Sequence, residues 1–423
     1  MQPTQPAPDN QTSDLLVNRA RPFTVLLTGG GTGGHIYPAL AVAEALKQTA
    51  KQRQIDLTLH YVGNAPRLQQ GVPTPSLESR LATAQGLPFY SLAFSGMPRS
   101  RQVLAWAKWL YALPQAVFSA YQILSKTGAH CVFATGGYIT APVLMAAKLK
   151  GCPYFIHEPD ARPGLVNRLM SRWARRVTVA FEAAIPALAT PAERIRVTGN
   201  PIRDDIGALT QAAALARLGL PWIQDASGKA GNKPILLIMG GSQGAEKLNQ
   251  AAIEAAPALL AMGVNVIHQT GQNKFETAAS RLYNALRPSQ AAPTSADLSE
   301  ITTQGYWLTP YLQDIPAVLA AADLTVCRAG SLTLSELFAA GLPAVLVPYP
   351  YAAANHQWHN AQSVANAGAA FVLDDASCTG QTLMAAVEPL LQNPQARAQM
   401  TQAAKALACP GAAQVIAQQL LET

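Results

Sequence analysis

Apolar residues in this chain gather in short runs. Each run is followed by glycines and then by a stretch with helical spacing. The first, Phe23 to Leu27, is β-branched and apolar and predicts a buried strand. Gly29-Gly30-Gly31-Thr32-Gly33-Gly34 comes next. Pro38 then stands where a first helical residue is expected, with Leu40, Ala43 and Leu46 repeating at helical spacing. Leu57 to Val62 predicts the next strand, residues 64–80 are polar and turn-rich, and residues 87–94 suggest a short strand. The same pattern returns with Ala129 to Ala134, the loop Thr135-Gly136-Gly137-Tyr138, and a helix from Ala141 to Lys150 stopped by Gly151. Tyr154 to His157 predicts a strand running into Glu158-Pro159-Asp160.

The opening motif recurs in the second half. Pro234 to Met239 predicts a strand, Gly240-Gly241-Ser242-Gln243-Gly244 a loop, and a helix follows from Ala245. Asp323 to Cys327 is a strand, Arg328 to Ser331 a loop, Leu332 to Ala340 a helix closed by Gly341 and Pro343, and Ala344 to Val347 a strand. Strand, glycine loop and helix, twice over, imply an α/β chain of two Rossmann-like parallel-sheet domains. The expected boundaries are a disordered leader at 1–20, domains at 21–198 and 199–410, and a C-terminal helix within 411–423 that packs back on the first domain. Gly199-Asn200-Pro201-Ile202-Arg203 reads as the loop between domains. Residues 223–232 and 286–300 read as polar surface insertions.

Two stretches depart from this rhythm. Residues 97–124 read as helix, with Trp106, Trp109, Leu110, Tyr111 and Phe118 beside Arg99, Arg101 and Lys108. Such a helix either packs on the sheet or dips into a lipid surface. Residues 168–176 set Arg168, Arg172, Arg175 and Arg176 around Trp173, which suits lipid head groups or a solvated basic helix equally.

Composition narrows the partners. The net charge is +7 with 49% apolar and 13% charged residues, so an anionic partner is favoured. No arginine-rich run argues for nucleic acid. Cys131, Cys152, Cys327, Cys378 and Cys409 are scattered and odd in number, as in a reducing cytoplasm. No stretch approaches the roughly 18 uninterrupted apolar residues of a membrane span.

The candidate chemistry lies in the loops. Glycines leading into a helix suit a phosphate or diphosphate, because the backbone can approach closely and the first-turn amides point outward. Gly29-x-Gly31-x-x-Gly34 also fits the dinucleotide fingerprint, but the next strand ends in Gly63-Asn64 and not in an acid for a ribose. A tight structural turn is the plainer account, but five glycines with two threonines and a histidine exceed what a turn needs. Thr333-x-x-Glu336 fits a capping box. Glu336 equally suits a carboxylate accepting both hydroxyls of a ribose diol. Both readings put it in a first helical turn, and they stay open. His356 and His359 lack a third metal ligand, and a loop lining a sugar pocket fits them better. Asp204-Asp205 is not spaced as a metal-binding Asp-x-Asp.

Several motifs then stand in one order: the glycine loop ending in His35, the Gly136-Gly137-Tyr138 loop, His157-Glu158, Gly199-Asn-Pro-x-Arg203, Gly240-Gly-Ser-Gln-Gly244, Cys327 through Glu336, and His356-Gln357-x-x-Asn360-Ala361. From residue 23 to about 415 the chain resembles the GT-B family of UDP-GlcNAc transferases that turn lipid I into lipid II in peptidoglycan synthesis. The resemblance implies two Rossmann-like domains facing across a cleft. It implies Arg203, Ser242 and Gln243 on the UDP diphosphate side and the Leu312 backbone on uracil. Ser331, Leu332, Thr333, Leu334, Ser335 and Glu336 would hold uridine, with Glu336 on the ribose. Gln357, beside His356, would meet GlcNAc. Thr32, Gly33 and Gly34, with Thr135, Gly136, Gly137 and Tyr138, would meet the acceptor diphosphate.

His35 is the first candidate for the base, and the motifs call for no cofactor or metal. One departure is Asp160, where the family has asparagine. It binds sugar hydroxyls or shares proton transfer. The implied setting is the cytoplasmic face of a bacterial inner membrane, held peripherally by anionic lipid, with other cell-wall synthesis enzymes as further partners. Rival readings are another UDP-sugar GT-B enzyme, such as a glycolipid glycosyltransferase or an epimerase, and a non-catalytic membrane scaffold.

Overall fold

Strands covered on both faces of a parallel sheet read as unbroken apolar runs, and β1 (Phe23–Thr28) is buried along its whole length in the computed structural model. The structure describes residues 22–69, 72–98, 103–220, 233–241, 243–287 and 295–423. The leader at 1–20, Arg99, Arg101, Ser242 and residues 223–232 and 288–294 lie outside the described residues.

β1 pairs in parallel with β2 (Leu57–Asn64) on one side and, skipping β3 (Phe89–Leu92), with β4 (Cys131–Ala134) on the other. β5 (Tyr154–Glu158), β6 (Arg176–Val179) and β7 (Ile195–Val197) complete a seven-stranded sheet in the order β3-β2-β1-β4-β5-β6-β7. Alternate residues of β1 feed opposite cores. Phe23, Val25 and Leu27 meet α1 (Gly33–Gln52) and the C-terminal helix (Ala412–Leu421). Leu26 points the other way, toward Ala116, Ala120 and Leu124 of α2 (Val103–Thr127) and Val143 and Leu144 of α3 (Thr140–Lys150).

The second sheet is built alike from β8 (Ile235–Met239), β9 (Asn265–Gln269), β10 (Tyr306–Thr309), β11 (Leu324–Cys327), β12 (Ala344–Leu346) and β13 (Ala370–Val372), in the order β10-β9-β8-β11-β12-β13. Leu236 and Ile238 of β8 pack on Leu248, Ala252 and Leu259 of the helix Glu246–Ala261. One compact unit takes the chain up to Ile202 together with Gly411–Thr423, and the other takes Arg203–Pro410. In both sheets the order reverses between the first and fourth strands, the place where open α/β sheets bind ligands.

Four local expectations are corrected. α1 begins at Gly33, so Pro38 lies inside the helix and not at its first position. Its ring only withholds an N–H from the Gly34 carbonyl, one turn in. Residues 64–80 are not plain turn: Arg67–Gln69 pairs antiparallel with Val72–Thr74, and Ser76 caps a helix at Leu77–Ala84 by accepting from the Ser79 amide. Residues 168–176 are not one basic helix. They divide into the end of α4 (Leu165–Met170), a 3-10 turn at Ser171–Trp173 and the start of β6. The insertion at 286–300 likewise runs into a helix at Ser295–Thr303.

Candidate functional site

Each unit places two loops at its reversal point. In the first unit these follow β1 and β4, and they touch through backbone. The Gly30 amide donates to the Gly136 carbonyl at 3.3 Å. A Cβ on Gly137, whose φ is +88°, would lie 2.2 Å from the Gly30 oxygen. One on Gly29 would lie 2.0 Å from Thr135 Oγ1. These glycines therefore permit loop-on-loop packing. Gly33 and Gly34 differ, since a Cβ on Gly34 would meet nothing nearer than 3.7 Å. They form the first turn of α1, which Thr32 precedes without a side-chain cap. The outward amides of that turn suit an anion. The Tyr138 ring lies tilted against Phe94, 6.4 Å between centroids, and covers Gly96.

His35 sits in the same turn, half-buried. Its Nδ1 lies 3.0 Å from the Thr135 carbonyl oxygen, and Thr135 Oγ1 donates back to the His35 carbonyl. A carbonyl only accepts, so the neutral ring carries its proton on Nδ1 and its lone pair on Nε2. This is how an imidazole is oriented to serve as a base.

The His157-Glu158 motif is an internal brace. His157 is fully buried, with Nδ1 3.0 Å from Thr178 Oγ1 and Nε2 2.9 Å from Asn200 Oδ1. Burial pushes it down to about 4, so it stays neutral. Glu158 accepts from the Asp160 and Gly164 amides at 2.9 and 3.1 Å and from Asn167 Nδ2 at 3.0 Å. Burial, and then the Asp160 carboxylate, push Glu158 up to about 8, against the pull of those donors. Asp160 itself is buried at the end of β5. The charges of His35 and Asp160 are both felt at His157, which places all three in one neighbourhood.

In the second unit the loop after β8 folds on the backbone of Thr270 and Gly271, which a Cβ on Gly244 would strike. Lys274 Nζ donates to the Gln243 carbonyl at 2.6 Å. The loop after β11 leads into the helix Ser331–Ala340, again without a side-chain cap. Asn360 steadies that loop by donating to the Ala329 carbonyl at 3.2 Å. Ser335 Oγ donates to the Ser331 carbonyl, and Leu332, Thr333 and Leu334 complete the first turn.

Glu336 is sixth in this helix, in its second turn, so the capping-box reading and the first-turn placement both fail. Burial pushes its carboxyl up to about 7, with Arg203 lowering it and Asp205 raising it. Arg203 is bound along one edge by Asp205, Nε to Oδ1 at 3.0 Å and Nη2 to Oδ2 at 2.6 Å. Gln357, next to His356 in the first turn of the helix His356–Asn366, accepts at Oε1 from the Tyr349 amide at 2.9 Å. Leu312 is buried just before Asp314, the side-chain cap of the helix Ile315–Ala321.

Sequence reasoning weighed Asp205 only as a metal ligand and passed over Asn167 and Asn200 as binding partners. Asp205 meets Arg203 two residues away in the same loop, whereas the partners of Asn167 and Asn200 come from other elements, and only Asn200 stood inside a quoted motif. Among the described residues, no group of three or more His, Cys, Asp or Glu is placed to hold a metal ion.

The chain matches two family models: the glycosyltransferase family 28 N-terminal domain over residues 25–179 and the C-terminal domain over residues 235–416. A relative from Desulforudis audaxviator is 38% identical over 92% of this chain and 95% of its own. It is named UDP-N-acetylglucosamine–N-acetylmuramyl-(pentapeptide) pyrophosphoryl-undecaprenol N-acetylglucosamine transferase. One of the same name from Exiguobacterium is 34% identical over 93% of this chain and 97% of its own. The crystal structure of Acinetobacter baumannii MurG aligns with TM-score 0.69 at 28% identity, covering 95% of this chain and all of that one.

Proposed function

This chain belongs to glycosyltransferase family 28, and on that premise we propose that it transfers GlcNAc from UDP-GlcNAc to the MurNAc C4 hydroxyl of undecaprenyl-pyrophosphoryl-MurNAc-pentapeptide, which turns lipid I into lipid II. The observation that carries the chemistry is His35, locked by the Thr135 carbonyl with its lone pair on Nε2. In a single inverting displacement the acceptor oxygen bonds to C1 of GlcNAc, the C1–O bond to UDP breaks, and Nε2 takes the hydroxyl proton. UDP leaves with the bonding pair. Arg203 and the uncapped helix amides at Ser331–Leu334 face the charge that grows there. Preorganised donors of this sort are worth roughly 3–4 kcal/mol each in a transition state.

Further roles follow the same reading. Glu336 accepts the ribose hydroxyls, the Leu312 backbone meets uracil, and Gln357, beside His356, meets GlcNAc. Ser242 and Gln243 lie along the donor diphosphate. Thr32–Gly34 and Thr135–Tyr138 hold the acceptor diphosphate, and Asp160 binds acceptor hydroxyls. The boundaries at 198 and 410 separate acceptor from donor handling.

The enzyme works at the cytoplasmic face of the membrane as a peripheral protein. No helix among the described residues is long and apolar enough to cross a membrane. Supporting the peripheral mode, α2 turns Ala116, Ala120 and Leu124 inward and leaves Leu104, Leu110, Tyr111 and Phe118 exposed. Lys150 lies over Tyr121 and Lys148 over Trp173 on the neighbouring surface. Release of UDP, measured with and without lipid I, tests the reaction. UDP release that ignores lipid I, or no transfer to it, would overturn it.

A further inference from the structure

Arg203 belongs to a small network of charge. Asp205 takes its Nε–H and one Nη2–H. Close by, Arg217 Nε meets Asp314 Oδ2 at 2.5 Å. The two pairs feel each other: Asp314 acts on Arg203, and Arg217 acts on Asp205. Glu336 feels both Arg203 and Asp205. Three parts of the proposed donor site meet here: Arg203 for the diphosphate, the turn from Leu312 to Asp314 for the base, and Glu336 for the ribose.

We propose that Asp205 is a donor-positioning residue: it holds one edge of the Arg203 guanidinium so that the other edge is presented to the donor diphosphate. The inference rests on Arg203 being a diphosphate ligand. An arginine fork keeps Nη1 and its second Nη2–H after a bidentate carboxylate has taken the Nε side. Without that hold, the long side chain samples many rotamers, and binding must order it. The pair is half-exposed, with Arg203 57% and Asp205 52% accessible, so it is a weak latch and does not block a polyanion.

A second effect accompanies the first. Asp205 opposes ionisation of Glu336 while Arg203 favours it. The other groups bearing on this cluster are Asp314, Arg217 and, against Glu336, the buried Cys327 thiol.

The test is a double-mutant cycle on the full chain, with donor KM, kcat and UDP affinity by calorimetry for wild type, Asp205→Asn, Arg203→Ala and the double variant. Asp205→Asn is expected to raise donor KM and weaken UDP about three- to five-fold, the reach of a half-exposed charge pair, with kcat little changed. Added to Arg203→Ala it is expected to do almost nothing further. It is also expected to move the midpoint of the pH dependence of donor affinity downward, which a merely structural role would not do. If Arg203→Ala weakens the donor and Asp205→Asn does not, or if the two effects simply add, the positioning role is overturned. If Arg203→Ala leaves donor affinity unchanged, the reading of Arg203 itself falls, and this inference with it.

Discussion

His35 and Glu336 make opposite kinetic demands. A base acts on the way to the transition state, so His35→Ala is expected to lower kcat by about 10²–10⁴ while donor KM moves little. Steady-state kinetics with lipid I checks this, and an unchanged kcat would shift attention to Asp160. Asp160→Asn, which restores the family residue, is expected to keep most activity. Glu336→Ala is expected to weaken UDP-GlcNAc about 10- to 100-fold, the reach of charge-assisted hydrogen bonds, with no loss of melting temperature at neutral pH because it caps nothing. The pH dependence has a definite sign. Ionised Glu336 accepts two hydroxyls, and its folded carboxyl stands near 7. Donor affinity should therefore rise as pH climbs through neutrality, and Glu336→Gln should flatten that rise. Stability runs the other way, since a raised carboxyl contributes below its ordinary range and loses that contribution as pH passes about 7. The residue types of these sites were legible in the sequence. Their partners were not: Arg203 with Asp205, or Glu158 with the Asp160 and Gly164 amides, are loop geometry, which periodicity does not encode.

Elements were easier to read than their ends. Strand, glycine loop and helix were plain because apolar runs and glycines mark them. The start of α1 was misjudged because Pro38 signals a helix start more strongly than two glycines do. The loops also carry more than phosphate chemistry. Gly137→Ala would force a Cβ to 2.2 Å from the Gly30 oxygen at a φ of +88°. It is expected to cost about 1–3 kcal/mol or more and to raise acceptor KM, seen by thermal unfolding and lipid I kinetics. In α2 the two readings of the stretch are two faces of one helix. Trp109 donates to the Ser95 carbonyl and packs on Phe94, so replacing it should unsettle the fold. Leu110, Tyr111 and Phe118 are 61%, 71% and 63% exposed. Changing those three to serine is expected to cut co-sedimentation with anionic liposomes about tenfold or more, with circular dichroism unchanged. Wild-type-like sedimentation would place the membrane surface elsewhere.

At the scale of the molecule, one strand order is used twice, and the chain comes back to its first unit at the end. Ile416, Ala417, Leu420 and Leu421 are buried against α1 and the first sheet. Ile416→Ala is expected to cost the first unit about 2–4 kcal/mol. Hydrogen exchange should quicken in β1 and β2 while β8 and β11 keep their protection. That return has a consequence for synthesis. The first unit leaves the ribosome early, yet its last helix emerges only after residues 203–410. At about 5–20 residues per second that interval is roughly 10–40 s. Through that time the apolar side of α1 awaits its cover, and a nascent chain stalled or cut short of residue 411 leaves its oldest part as the unfinished one.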